Sequence, residues 1–317
     1  MPDRFPLQTF VRRAAIRLVT IAFFSATSAC YASEFNLTEI ASGVFVHTGK
    51  VAIYSPADGG DISNCGFVIG RDAVAVVDTC GADRVGRRLR EAIRSITDKP
   101  IRYVVTTHMH PDHVLGGGAF AEDAPAYVGH KKLARALAAR AERYLGANRD
   151  LMGEEAFAGS RIVPPTVVVD DRMEIDLGDR ILELRARPTA HTDNDLTVLD
   201  RKTGTIFLGD LLFSRHIPAL DGSLRGWLKV MSDLAAEPAT RAVPGHGPAA
   251  LDFPAALAPQ KRYLSRIADD VRAAIKAGRT LAEASAAAGL SEKDAWALFE
   301  EFNARNVSAA FAELEWE

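Results

Sequence analysis

Apolar positions along this chain switch repeatedly between short runs and helical spacing. The runs come first: "GVFVHTG" at 43–49, "VAIYSP" at 51–56, "CGFVIG" at 65–70 and "AVAVVDTC" at 73–80. Each reads as a strand, and the last two form a hairpin across the break at Gly70–Ala73. In residues 82–96 the apolar set Val85, Leu89, Ile93 and Ile96 falls on one helical face. The run "IRYVVTT" at 101–107 predicts a strand, and "GHKKLARALAARAERYLG" at 129–146 a second helix. Residues 166–188 return to strands around a turn at Gly178 and Asp179, and residues 194–213 form another hairpin, broken at Lys202–Gly204. Strand blocks with helices between them, occurring twice, predict an α/β fold of two packed sheets with helices outside. Beyond Pro259 the text becomes alanine-rich: Leu264, Ile267, Val271 and Ile275 mark an amphipathic helix ending near Gly278. Thr280 with Glu283, and Ser291 with Asp294, each read as a capping box opening a further helix. Residues 260–317 are therefore expected to be a helical appendage, either a separate domain or a clamp on the main body.

Composition narrows the classes. With 317 residues, 48% hydrophobic and 25% charged, the chain can bury a substantial core. A net charge of -3 and the lack of a basic stripe with interleaved aromatics give no electrostatic case for nucleic acid. Residues 1–32 differ in kind: early arginines, the apolar stretch "LVTIAFFSATSA", then small residues up to Ala32. They read as a signal peptide cut near Ala32 and imply a periplasmic protein, with a membrane anchor or a lipoprotein cut at Cys30 as alternatives. The apolar stretch is short against the roughly 20 residues a membrane span needs. Arg12 and Arg13 hint at twin-arginine export. Cys65 and Cys80 then remain in an oxidising setting and flank a hairpin, an arrangement suited to one disulfide. Cys80 as a nucleophile is the weaker reading, because no basic residue sits beside it.

The candidate chemistry lies in "THMHPDH" at 107–113. His108 and His110 leave the strand on nearly one side, and Asp112 and His113 follow where Pro111 breaks it. Imidazoles at this density fit a zinc-type metal, and a carboxylate among them admits a second ion. His191, Asp210 and His246 each follow an apolar run and complete a ligand-type set. Asp193, Asn194, Arg215 and His216 fall on loops expected to border it, as support or as substrate contacts, while His47 and His130 read as structural.

The pattern HxHxDH, a distant histidine, an aspartate in "GD" and a histidine in "PGHG" resembles the metallo-β-lactamase superfamily over Glu34 to Asp252, with "GVFVHTG", "ISNCGFVI" and "AVVDTCG" included. The resemblance implies an αβ/βα four-layer sandwich over residues 33–259. It implies two zinc ions, with manganese or iron as alternatives: one on His108, His110 and His191, the other on Asp112, His113 and His246, with Asp210 bridging. Aspartate at 210, where the commonest secreted β-lactamases carry cysteine, resembles the glyoxalase II type. Asp112 followed by His113 departs from the diiron oxidoreductase branch. The tail and "GDLLFSRHIPALDGSLRGW" at 209–227 look similar to the SoxH-like group, the exported quinoprotein relay system zinc metallohydrolases. The implied activity is hydrolysis of a small ester, lactone, thioester or amide by a hydroxide that two cations share, with the pKa of water lowered from 15.7 towards about 7. Asp112 would orient that nucleophile. A β-lactamase is the alternative enzyme, and a non-catalytic metal-binding accessory of a quinoprotein oxidation system the alternative outside catalysis. The tail lacks the basic residues that hold glutathione in glyoxalase II, so a smaller or less anionic substrate is expected.

Overall fold

In the computed structural model residues 1–3 and 35–317 are described. The signal-peptide reading, its cut near Ala32 and Cys30 lie outside the described residues. Phe35–Glu317 forms one compact unit. Its first half runs β1 (Leu37–Ala41), β2 (Val44–His47), β3 (Cys65–Ile69), β4 (Val74–Val77), α1 (Asp83–Ile96), β5 (Ile101–Val105), α2 (Pro111–Val114), a 3₁₀ segment (Gly117–Asp123), β6 (Ala126–His130), α3 (Leu133–Met152), α4 (Glu154–Phe157) and β7 (Val167–Val169). The second half runs β8 (Arg172–Asp176), β9 (Ile181–Ala186), β10 (Leu196–Asp200), β11 (Thr205–Phe213), α5 (Leu224–Leu234), β12 (Arg241–His246), β13 (Leu251–Asp252), α6 (Leu257–Lys276), α7 (Leu281–Ala287), a 3₁₀ segment (Leu290–Ala295) and α8 (Phe299–Leu314). Among the described residues the first sheet has the order β1-β2-β3-β4-β5-β6-β7 and the second β13-β12-β11-β10-β9-β8. The first is antiparallel up to β4 and parallel beyond it.

Side-chain alternation sorts the strands into layers. Ala75 and Val77 of β4 turn inward to meet Leu182, Leu184 and Val198 of the other sheet, whereas Val74 and Val76 face Leu89, Ile93, Leu133 and Leu137 of α1 and α3. On the far side Ile206 and Leu208 of β11 meet Trp227 of α5 and Tyr263, Ile267 and Val307 of the tail helices. Three apolar layers therefore separate four structural ones, giving the expected αβ/βα sandwich with helices added at its C-terminal end.

Several local expectations change. Val51–Pro56 is a loop: its apolar residues find no strand partner, and β2 pairs directly with β3. Gly129 and His130 belong to β6, so the second helix starts at Leu133 and runs on to Met152. Thr280 and Glu283 form a reciprocal capping box. Ser291 does not cap, because Gly289, at φ 77°, turns the chain into a short 3₁₀ segment. The first tail helix begins at Leu257, before the expected boundary at 260. Cys65 and Cys80 are disulfide-bonded, with Cα atoms 5.7 Å apart.

Candidate metal centre

The ligand-type residues converge from both sheets at their strand ends. His108 and His110 lie on the loop after β5, Asp112 and His113 on α2, His191 before β10, Asp210 within β11 and His246 at the end of β12. Two glycines make this convergence feasible. Gly209, at φ 50°, puts a bulge into β11 just before Asp210, and a Cβ there would stand 2.5 Å from Thr107 Oγ1. A Cβ on Gly245 would lie 1.9 Å from Asp210 Oδ1.

One cluster brings together His108, His110, His191 and Asp210, and a second Asp112, His113 and His246. Asp210 faces both: Oδ2 lies 3.4 Å from His191 Nε2 and 3.7 Å from His108 Nε2, and Oδ1 lies 3.1 Å from His113 Nε2 and 3.4 Å from His246 Nε2. Asp112 Oδ2 stands 3.1 Å from His246 Nε2 and 3.5 Å from His113 Nε2.

The outward-facing ring nitrogens are tied down, which fixes what the inward ones offer. Thr107 Oγ1 donates to Asp78 Oδ2 at 2.7 Å and so accepts from His108 Nδ1 at 3.0 Å. Asp78 Oδ2 also accepts from His113 Nδ1 at 2.8 Å. Ala219 O accepts from His191 Nδ1 at 2.7 Å, and Ile62 O from His246 Nδ1 at 2.9 Å. His110 is turned the other way: its Nε2 donates to Asp221 Oδ2 at 3.0 Å, leaving Nδ1 for the site. Because the carbonyl and carboxylate partners can only accept, and Thr107 gives its one hydroxyl proton to Asp78, the tautomers follow from the network.

This arrangement suits divalent cations. His108 Nε2, His113 Nε2 and Asp210 Oδ1 are buried with no hydrogen-bond partner among the described residues, and buried polar atoms are rarely left so. His110 Nδ1 and His191 Nε2 face one another at 2.9 Å, both as lone pairs, a clash that a cation or a shared proton relieves. Burial holds His108 well below the usual histidine range and His191 at about 3, so both rings are neutral at pH 7. For His113 and His246 burial acts in the same sense, but the carboxylates of Asp210 and Asp112 outweigh it and raise both, His246 to about 9. Burial opposes ionisation of Asp112, yet His113 and His246 overcome it and hold the carboxyl at about 2.

Apolar and polar scaffolding surrounds the cluster. Phe213 stacks on His246 with ring centroids 5.0 Å apart, and Trp227 backs His191 at 5.3 Å. In "ISNC", Ser63 Oγ donates to Asp112 O at 2.5 Å and Asn64 Nδ2 to Pro244 O at 2.9 Å, so one loop braces both metal-side segments. Of the bordering residues, His216 packs on His246 at 4.9 Å, Asn194 is fully buried, and Asp193 faces Lys132 and Arg135. His47 bonds Asp61 and the Asn36 carbonyl, and His130 accepts from Lys132 N. Sequence reading did not assign Asp78, Thr107, Asp221 or Tyr54. The Tyr54 hydroxyl is buried, also without a partner among the described residues, over Gly81 and beside Asp112. Position straight after a strand end is the signal Asp78 and Thr107 shared with the recognised set.

Comparison with known proteins agrees with this architecture. A solved metallo-β-lactamase from Pontibacter korlensis superposes with a TM-score of 0.59 at 21% identity, covering 72% of this chain and 98% of that one. The stereoselective inverting sec-alkylsulfatase Pisa1 from Pseudomonas superposes with a TM-score of 0.68 at 14% identity, covering 88% of this chain and 50% of that one. At such identities the likeness speaks for the fold alone. A linear primary-alkylsulfatase of Pseudomonas is 38% identical over 52 residues, 16% of this chain and 10% of that enzyme. The chain thus spans only part of the length of either alkylsulfatase. Residues 58–246 match the family model of the metallo-β-lactamase superfamily, and the chain belongs to that superfamily.

Proposed function

We propose that the chain is an exported two-metal hydrolase that breaks the bond between the acyl carbon and its O, S or N leaving atom in a small ester, lactone, thioester or amide. The observation that carries this reading is the double-faced Asp210, with one oxygen toward His108 and His191 and the other toward His113 and His246. A structural zinc site is closed and uses about four ligands, whereas two clusters sharing a carboxylate suit a reaction centre. His108, His110 and His191 would hold one ion and Asp112, His113 and His246 the other, with Asp210 between them; zinc suits the donor set, and manganese or iron would also be accommodated. Such a pair supplies Lewis acidity and a water that ionises near pH 7.

The chain's own groups do the rest. Ionised Asp112 can accept a hydrogen bond from the nucleophilic water and hold it toward the substrate, and Asp78 keeps His113 and, through Thr107, His108 in register. Phe213 and Trp227 close the floor against bulk water.

A signal peptide over residues 1–32 and a periplasmic location belong to the same proposal, which the Cys65–Cys80 bond supports, since such bonds persist in oxidising compartments. The SoxH-like, quinoprotein-associated placement rests on the sequence likeness of residues 209–227 and the tail. A sulfate ester is the second reading: the alkylsulfatase fold covers 88% of the chain against 72% for the β-lactamase. Turnover of metal-loaded protein on matched lactone, thioester, β-lactam and alkyl sulfate substrates tests the proposal. Carbonyl substrates should be hydrolysed fastest, and glutathione thioesters poorly; turnover of alkyl sulfate alone would replace the carbonyl reading with the second one.

A further inference from the structure

The segment 215–224 carries two groups that aim ligands: the Ala219 carbonyl accepts from His191 Nδ1 at 2.7 Å, and Asp221 Oδ2 accepts from His110 Nε2 at 3.0 Å. Asp221 N also donates to His191 O at 3.2 Å. Among the described residues this segment has no strand pairing beyond one bridge at His216, made with Ala297 of the tail. Ser223 N donates to Ala190 O at 2.8 Å, and the remaining support comes from α8. Asn306, 2% exposed, straddles Ala219: its Nδ2 donates to Pro218 O at 2.6 Å and its Oδ1 accepts from Leu220 N at 2.9 Å. About two turns further on, Glu313 accepts from Ser223 Oγ at 2.7 Å and from Leu224 N at 2.6 Å, which closes the far end of the segment.

We propose that Asn306 is a positioning residue for the metal centre, setting the Ala219 carbonyl and thereby the His191 ring from the C-terminal helix. The inference rests on the two-metal reading. The amide matches the two backbone groups on either side of Ala219, so it fixes that peptide's orientation as well as its position. Its remaining bond, from Nδ2 to the Tyr263 hydroxyl at 2.9 Å, ties the same amide to α6 and provides an internal control. Tyr263→Phe removes that bond and leaves the grip on Pro218 and Leu220.

The test is cobalt(II) titration of the metal-free full chain, followed by visible absorption and chelator competition, with the His191→Ala variant marking the component that belongs to the His108, His110 and His191 ion. Asn306→Ala should loosen that component by roughly tenfold, the low end for an outer hydrogen-bond partner of a ligand, and leave the other ion at its wild-type affinity. Asn306→Asp, which keeps an acceptor for Leu220 N, should fall between, and it carries the test if the alanine variant does not fold. Tyr263→Phe should lower the melting temperature with both affinities unchanged. Equal weakening of both ions, or a lower melting temperature with neither ion affected in either Asn306 variant, would overturn the inference alone. A wild-type chain that binds no cobalt would overturn the two-metal reading together with it.

Discussion

At the scale of single residues, the centre depends on what lies behind each imidazole as much as on the imidazole itself. Thr107 is the clearest case, donating to Asp78 and accepting from His108, so that its hydroxyl fixes which nitrogen His108 presents. Thr107→Val keeps the shape and removes that relay. Metal affinity should fall about 10- to 100-fold, measured by chelator competition, with far-ultraviolet circular dichroism unchanged; unchanged affinity would show that His108 is held by packing alone. The cluster of histidines and aspartates was legible in the sequence because His108, His110, Asp112 and His113 are packed into one short segment. Its supports were not, because their meaning depends on contacts far along the chain. Asp78 meets His113 across 35 positions, Asp221 meets His110 across 111, and Asn306 meets Pro218 across 88.

At the scale of elements, local pattern was a good guide where a face is buried against a neighbour and a poor one elsewhere. Val85, Leu89 and Ile93 pointed to α1 because all three pack under the first sheet. Residues 51–56 have the composition of a strand but form a loop that carries Tyr54 to the side of Asp112, and β6 was hidden because its residues run straight into a helical pattern. The end of β6 also carries a pH-sensitive joint. His130 is 3% exposed and its Nδ1 accepts from Lys132 N at 3.0 Å, which requires the neutral ring. Burial, with Lys132 and Lys131 adding to it and Asp193 and Asp170 opposing, lowers it from 6.5 to about 4. The unfolded chain takes up the proton near 6.5 and the folded chain only near 4. Stability from this group is therefore complete above pH 6.5 and drains away as pH falls towards 4. His130→Asn, which can still accept from Lys132 N, should show a smaller loss of melting temperature between pH 7 and 4.5 than the wild type, by differential scanning calorimetry. An equal loss in both would place the acid sensitivity elsewhere.

At the scale of the whole molecule, the C-terminal helices share one core with the second sheet, where Tyr263, Leu264, Ile267, Val271 and Val307 cover Leu212, Phe213 and Trp227. Among the described residues no helix is long and apolar enough to cross a membrane. Each of these tail side chains contributes about 1.5–3 kcal/mol on burial, so losing all of them is comparable to the roughly 5–15 kcal/mol that holds a typical domain together. Truncation after Gln260 should therefore abolish cooperative melting and turnover, read by scanning calorimetry and by hydrolysis rate; a truncated chain that melts as sharply and at the same temperature would show the tail to be an accessory. Both sheets and the tail brace one cluster of histidines and aspartates, proposed above to hold two cations. The most direct test is elemental analysis of the chain after mild metal loading and dialysis. About two divalent ions per chain, lost to chelator together with turnover and restored with it, is the predicted result. One ion or fewer per folded chain, or hydrolysis that continues after both ions are removed, would contradict it.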